Sequence, residues 1–496
     1  MSLQSGTIKT NLHKISSYLF GIRQHIAAKK IKNPLIAALL IIAAVACSYI
    51  ITFSGIKGAV IIMAVIIGLP VIAAMLISSR VGVIVMLIMA YLLMGILRIG
   101  VDFPLGTLMD ALQALLIIGF FFKQKTEKNW KSFKNPISIM ILIWIGYNLL
   151  EVLNPAAESS LAWVYTVRST AVVTLMYFIF LHNIRTISFL RLILKLWLAL
   201  SLFAALYAFK QEYFGFFNFE NQWLQSNPRI RELLFIGGSW RKFSIFSDPV
   251  SFAYNMAISG IFCIALLTGP FSRRSKIILT GMAVFFLTVM LYSGTRGAYI
   301  LVPSSLILLA ILRFNRKIMM YTGAAAVFLM IMVKIPTSNP TLYRFQTAFK
   351  PSTDESYNVR KKNQKLIQPY ILSHPMGGGL GATGVWGQRF APGSFLANFP
   401  PDSGYVRTAV ELGSIGLLLF CIFIFICLLT GINNYYKIHD PELKTYCLAM
   451  TMIIFALNIG NYPQEALVQF PISIYFYFFL AVINATLLLY NSKQQA

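Results

Sequence analysis

The chain has 496 residues, 57% of them hydrophobic and only 12% charged, with a mean hydropathy of +0.71. An ordinary soluble domain carries roughly 25% charged residues, which excludes a water-soluble globular protein and points to one membrane domain. The 42 Lys and Arg against 16 Asp and Glu give a formal net charge of +26, more than the positive bias of short cytoplasmic loops accounts for.

Residues 1–33 mix Lys9, Lys14, Arg23, Lys29, Lys30 and Lys32 with apolar positions and lack a small-residue cleavage site before the first apolar run. They read as a retained basic cytoplasmic extension lying on anionic lipid. Continuous apolar character predicts an N-terminal transmembrane bundle over 34–209, with spans at 34–53, 58–78, 81–97, 103–122, 135–153, 163–182 and 187–209. An outer segment, 210–247, follows, rich in Phe and Tyr and holding Trp223 and Trp240, residues suited to the membrane interface. Further spans are expected at 248–268, 276–293, 297–314 and 318–334, then a long outer loop over 335–403. The C-terminal region 404–490 holds spans 404–430, 444–460 and 470–490. The fold class is an all-α polytopic membrane protein of about fourteen helices, or as few as twelve if the shortest connections join neighbours.

The densest short basic runs are Lys123–Lys134, Arg273–Lys276 and Arg313–Lys317. With fourteen spans and a cytoplasmic N-terminus all three fall inside, both termini are cytoplasmic, and 210–247 and 335–403 lie outside. Within the long loop, 356–373 places Val359, Leu366, Ile367, Tyr370 and Ile371 on one helical face and Arg360, Lys361 and Lys365 elsewhere, predicting an amphipathic helix over the bundle. The glycine stretch Gly377–Gly384, including Gly379 and Gly381, can bring backbone N–H groups close to a ligand. It lacks the strand and GxxxxGK[ST] of a nucleotide loop. The five cysteines, Cys47, Cys263, Cys421, Cys427 and Cys447, fall in or beside apolar runs without metal-ligand spacing, so neither disulfides nor structural zinc are expected.

Charges in spans are costly, about 2.5–3.5 kcal/mol on insertion scales, and are functional candidates by default. Arg168, Arg296, Arg407 and Glu411 fall near outer span ends, and Arg241, Arg344, Arg360 and Asp402 on outer segments. Cations gathered where topology does not require them suggest an anionic ligand, and the arginine fork suits phosphate. Plainer readings stand beside this one. Arg407 and Glu411, four apart on a helix, neutralise one another, Arg168 snorkels, Arg296 binds carbonyls in a tight turn, and His374 before Pro375 closes a helix. Lys195, near mid-membrane, is assigned to packing or a water-filled cavity.

Four segments in order resemble the O-antigen ligase and polymerase family of bacterial membrane glycosyltransferases: Arg241–Pro249, Ser293–Gly297, Arg360 with His374–Gly377 and the glycines, and Asp402–Val406 leading into Glu411–Gly413. The resemblance covers about residues 235–430. It implies a GT-C-like fold in the inner membrane, with the site on the periplasmic face and no metal or other cofactor. The implied donor is a polyprenyl-pyrophosphate-linked glycan, and the acceptor a glycan or lipid A-core. A chain-length regulator is a further partner, and nucleic acid is not one. Arg241, Arg296 and Arg360 would hold the pyrophosphate. Asp402 stands where many ligases have histidine and would serve as general base, a departure that favours a polymerase of lipid-linked repeat units over a ligase. A transporter of lipid-linked glycans is the rival of another class, expected to show related halves and deep cations instead.

Overall fold

In this computed structural model the described residues are 78–99, 105–236, 238–338, 340–349 and 355–495, with scattered positions between 38 and 75. Met75–Ala496 form one compact unit; within Met1–Ala74 the described positions include a short apolar helix, Ala44–Phe53. The helices of the larger unit are α1 (Ser79–Arg98), α2 (Leu105–Glu127), α3 (Pro136–Leu150), α4 (Ser160–Asn183), α5 (Ile187–Tyr213), α6 (Asn218–Gln225) and α7 (Pro228–Leu234). A two-residue hairpin, β1 (Phe235–Ile236) with β2 (Ser239–Trp240), precedes α8 (Pro249–Leu267), α9 (Arg273–Leu291), α10 (Leu301–Leu312), α11 (Arg316–Lys334) and α12 (Pro340–Thr347). The chain ends with α13 (Glu355–Ser373), α14 (Gly384–Phe390), α15 (Gly404–Lys437), α16 (Pro441–Gly460) and α17 (Ile472–Gln495).

Eleven helices among the described residues are long and apolar enough to cross a membrane: α1–α5, α8, α9, α11 and α15–α17, with α3 continued by a 3-10 turn to Leu153. The protein is a multi-pass membrane protein. The span expected at 297–314 is a shorter apolar helix, Arg296–Leu312, entered through a 3-10 turn at Arg296–Ala298. The spans expected at 34–53 and 58–78 lie largely outside the described residues.

Helix starts fall where a side chain can take over the unpaired N–H groups of a first turn. Asn135, Ser159, Thr186, Ser272 and Asn315 cap α3, α4, α5, α9 and α11. Asp248 and Asp440 cap α8 and α16, each followed by proline at the first turn. The inner helices α8, α16 and α17 are buried along most of their length, whereas α11 buries none of its residues. α8 packs on α9, α10 and α16, α17 on α4 and α16, and α15 on α3 and α16. Backbone groups satisfied within each helix are what lets these layers sit in hydrocarbon.

α15 is broken. Gly413 has φ 69° and ψ −171°, and the carbonyls freed by the break are taken by the glycine stretch: Gly378 N donates to Val410 O at 2.8 Å and Gly379 N to Glu411 O at 3.0 Å. In return Ile415 N donates to Pro375 O at 3.3 Å. A Cβ on Gly377 or Gly413 would strike the other's backbone, so the sequence can make this close approach only with glycine at both positions.

The amphipathic helix expected over 356–373 is α13, but its inward face differs from the expected one. Val359 and Leu366 are exposed, and the face turned to the bundle runs through Arg360, Asn363, Ile367, Tyr370 and Ile371. Ile367 packs with Leu396, Phe399 and Val410, against which Tyr370, Ile371 and Val406 also lie. Positions 360, 363, 367, 370 and 374 keep the three- and four-residue spacing of one stripe, which brings a cation and an amide under the helix.

Candidate active site: an arginine-lined cavity at one end of the bundle

Arg241 leaves the hairpin just before α8, Arg296 begins the turn into α10, and Arg344 lies on α12. The three line one cavity of about 210 Å³ together with Trp240, Tyr292 and Gly294. Local hydrogen bonds set the geometry. Arg241 donates from Nε to Ser293 O at 2.7 Å and from Nη2 to Thr295 Oγ1 at 3.0 Å. Thr295 in turn donates to Pro249 O at 3.1 Å, tying the 293–295 turn to the start of α8. Gly294 has φ 58°, and a Cβ there would lie 2.9 Å from Arg344 Nε, so the guanidinium of Arg344 rests on the bare glycine. α12 is held there because Gln346 donates to the carbonyls of Met332 and Ile335 at the end of α11.

This is a crowded cationic site. Burial, together with the charges of Arg344 and Arg296, pushes the Arg241 guanidinium down to about 10, against a smaller opposing pull from Asp248. A cation destabilised by burial and by like charges gains from an anion placed among them. The buried Tyr299 ring lies tilted against Phe345 with centres 5.0 Å apart, its hydroxyl has no hydrogen-bond partner among the described residues, and Arg344, Arg241 and Arg296 all act on it electrostatically.

A second cluster meets this one through the end of α16. Gly297 sits against the Tyr254 hydroxyl and Pro463, Tyr254 donates to Gly460 O at 2.8 Å, and Gly404 N donates to Asn461 O at 2.9 Å. Asp402 stands just before that glycine with φ 50°, a left-handed conformation that side-chain-bearing residues seldom adopt. Asn363 Nδ2 donates to Asp402 Oδ2 at 3.3 Å. Burial raises the Asp402 carboxyl above the usual carboxylate range, while the Asn363 hydrogen bond and the Arg360 charge pull it back. Arg360 also lies within electrostatic reach of the Tyr254 hydroxyl. Arg241, Arg296, Arg344, Arg360 and Asp402 thus occupy neighbouring stretches at the end of the bundle where α8, α10 and α15 begin.

The remaining sequence candidates are placed differently. Arg407 donates to Glu411 Oε1 at 3.1 Å and to Glu465 Oε2 at 2.7 Å. Glu411 also accepts from Gly381 N at 3.1 Å and from the Thr383 amide and hydroxyl. The anion held by the glycine stretch is therefore the protein's own Glu411 carboxylate, and the N–H groups of Gly379 and Gly381 donate internally. Arg407 and Glu411 line a separate cavity of about 290 Å³ with Ser169, Thr170 and Thr174. His374 stacks on Tyr370 at 4.1 Å, and its Nδ1 lies 3.0 Å from Tyr370 O, at the end of α13. Arg168 pairs with Asp110 at 3.2 Å, apart from both clusters. Lys195 is exposed on α5. Among the described residues, no three His, Cys, Asp or Glu side chains gather as metal ligands would.

Arg98 was not among the sequence candidates. Standing at the end of α1, it donates to the carbonyls of Ser244, Phe246 and Ser247 at 3.0, 2.5 and 3.2 Å. Its guanidinium lies 4.4 Å from the Trp223 ring centre and 4.1 Å from that of Phe243, a cation–π sandwich. It thereby pins the segment that carries Arg241. The available signal was positional, since Arg98 ends a span on the outer side of the expected topology, where the positive-inside bias does not ask for a cation.

Residues 281–421 match a family model described as O-Antigen ligase. The match takes in Arg296, Arg344, Arg360, the glycine stretch, Asp402 and Glu411. The Arg241–Pro249 segment, part of the resemblance drawn from sequence, lies outside it. No curated protein matches the chain.

Proposed function

Since the chain carries an O-antigen ligase family segment over residues 281–421, we propose that it is a metal-independent, inverting membrane glycosyltransferase of the bacterial inner membrane. Its donor is a polyprenyl-pyrophosphate-linked oligosaccharide on the periplasmic face. The observation that carries this reading is the cavity lined by Arg241, Arg296 and Arg344. Those residues hold the pyrophosphate, with Arg360 nearby, and stabilise the negative charge that grows as it leaves, the task at which preorganised cations are most effective. The acceptor hydroxyl oxygen attacks the anomeric carbon. The bond from that carbon to the pyrophosphate oxygen breaks with its electron pair leaving on the phosphate, and the hydroxyl proton passes to the Asp402 carboxylate.

The face assignment draws on the helices themselves. α8 starts beside Arg241 and ends towards the basic run Arg273–Lys276, and α10 starts beside Arg296 and ends at Arg313–Lys317, so the cavity and the expected cytoplasmic loops lie at opposite helix ends.

Polymerisation of repeat units is the preferred form of the reaction because the proposed base is Asp402 rather than a histidine. Transfer to lipid A-core is the second reading, favoured by the description of the matching family. The test is to supply purified full-length protein with a lipid-linked repeat unit, alone and with lipid A-core. A ladder from the repeat unit alone supports the polymerase, a product formed only with lipid A-core supports the ligase, and no transfer under either condition overturns the proposal.

A further inference from the structure

At the other end of α8, α10 and α15 from the arginine cavity lies a second basic cavity, of about 450 Å³. Arg313 enters it from the end of α10, His439 from the turn after α15 and Lys444 from the first turns of α16, above Thr268 and Gly269. Arg313 Nη1 donates to Thr268 O at 2.7 Å and the side chain makes no other hydrogen bond among the described residues. Lys444 Nζ lies 4.7 Å from the Tyr435 ring centre and, like Arg313, pairs with no carboxylate among the described residues.

The carboxylates nearby are already engaged. Asp440 accepts from Lys493 and from the amides of Glu442 and Leu443; Glu442 pairs with Arg191 at 2.6 Å and accepts from Tyr446. The cavity therefore keeps its positive charge. Beside it the surface is apolar and uncovered, with Ile311 64%, Phe314 84% and Tyr436 54% exposed, and Tyr436 donating to Leu312 O at 3.4 Å.

We infer that this cavity binds the phosphate of an anionic phospholipid, the headgroup between Arg313 and Lys444 and the acyl chains along Ile311, Phe314 and Tyr436. A free phosphate would use the same cations and leave the apolar flank without a role. The arginine fork and the lysine ammonium supply donors in the geometry a phosphodiester accepts. The bound lipid would tie together the ends of α10, α15 and α16, independently of the chemistry proposed for the opposite face.

The test titrates phosphatidylglycerol into delipidated full-length protein and counts bound lipid by native mass spectrometry, with phosphatidylcholine as the zwitterionic comparison. Wild type should retain one phosphatidylglycerol in preference to phosphatidylcholine. Arg313→Gln or Lys444→Gln should each weaken it about five-fold, and the double variant about 25-fold, taking roughly 1 kcal/mol for each cation. Lys437→Gln, an exposed cation outside the cavity, should change nothing. The single variants keep the test decisive should the double variant fold poorly. Equal retention by wild type and both single variants would overturn the site. Displacement of the lipid by millimolar inorganic phosphate would overturn the lipid as its ligand.

Discussion

Arg296 and Arg241 both line the cavity, and the loss of either should act on the transfer step. Arg241 commits part of its guanidinium fork to Leu233, Ser293 and Thr295, so Arg241→Ala removes both a cavity charge and a brace of the 293–295 turn. Arg296→Ala should leave a folded, inserted protein whose transfer rate falls about 10²- to 10³-fold, the scale of losing one donor to developing charge. Arg296→Lys should rescue poorly, because a point charge does not reproduce a bidentate fork; normal polymer ladders from either variant would contradict this. Asp402→Asn should abolish transfer while donor binding persists, the amide keeping the shape without the basicity. The pH profile carries a sign. A base raised by burial loses activity as pH falls through its elevated pKa. Asn363 contributes a hydrogen bond that lowers that value, so Asn363→Ala should move the acid limb to higher pH. A limb that stays in place would remove Asp402 from the role.

The broken helix α15 and the pinned segment before α8 are where packing decides function. Gly413→Ala places a side chain at φ 69° against the Pro375 carbonyl. It should cost about 1–3 kcal/mol from backbone strain, read as a lower unfolding temperature in detergent, and should loosen the glycine stretch from α15. A variant as stable as wild type would show that the break is not held this way. Arg98→Gln removes a charged donor from three carbonyls, each such bond being worth about 1.5–3 kcal/mol. It should reduce transfer by letting the Arg241 segment move, whereas unchanged transfer would show that Arg241 keeps its place without the pin. Apolar run length was enough to read the long spans, since a bilayer dictates about twenty residues per helix. The inward face of α13 was not legible in the same way. Hydrophobicity alone favoured Val359 and Leu366, but the face that packs carries Arg360 and Asn363, polar residues turned towards Asp402. Likewise the glycines announced a close approach of backbone, yet the sequence could not say that the partner was Glu411 and the Gly413 break rather than a ligand. Arg98 went unread because its partners, the carbonyls of Ser244, Phe246 and Ser247 and the rings of Trp223 and Phe243, lie on a segment far along the chain that apolar run length does not bring to it.

At the scale of the bundle, the cavity with Arg241, Arg296 and Arg344 and the basic runs Arg273–Lys276 and Arg313–Lys317 lie at opposite ends of α8 and α10. In a cysteine-free background, Ser226→Cys should react with an impermeant reagent from the periplasmic side and Ser275→Cys should not; the reverse pattern would invert the orientation and remove the site from that face. Stabilisation of the departing pyrophosphate by Arg296 is measured in a reconstituted reaction in which purified wild-type and Arg296→Ala proteins, at equal amounts in liposomes, receive the same polyprenyl-pyrophosphate-linked oligosaccharide. The rate of glycan transfer is then measured. Wild type should transfer glycan, and the variant should lose about 10²-fold or more of that rate. Equal rates from the two proteins would contradict that stabilisation.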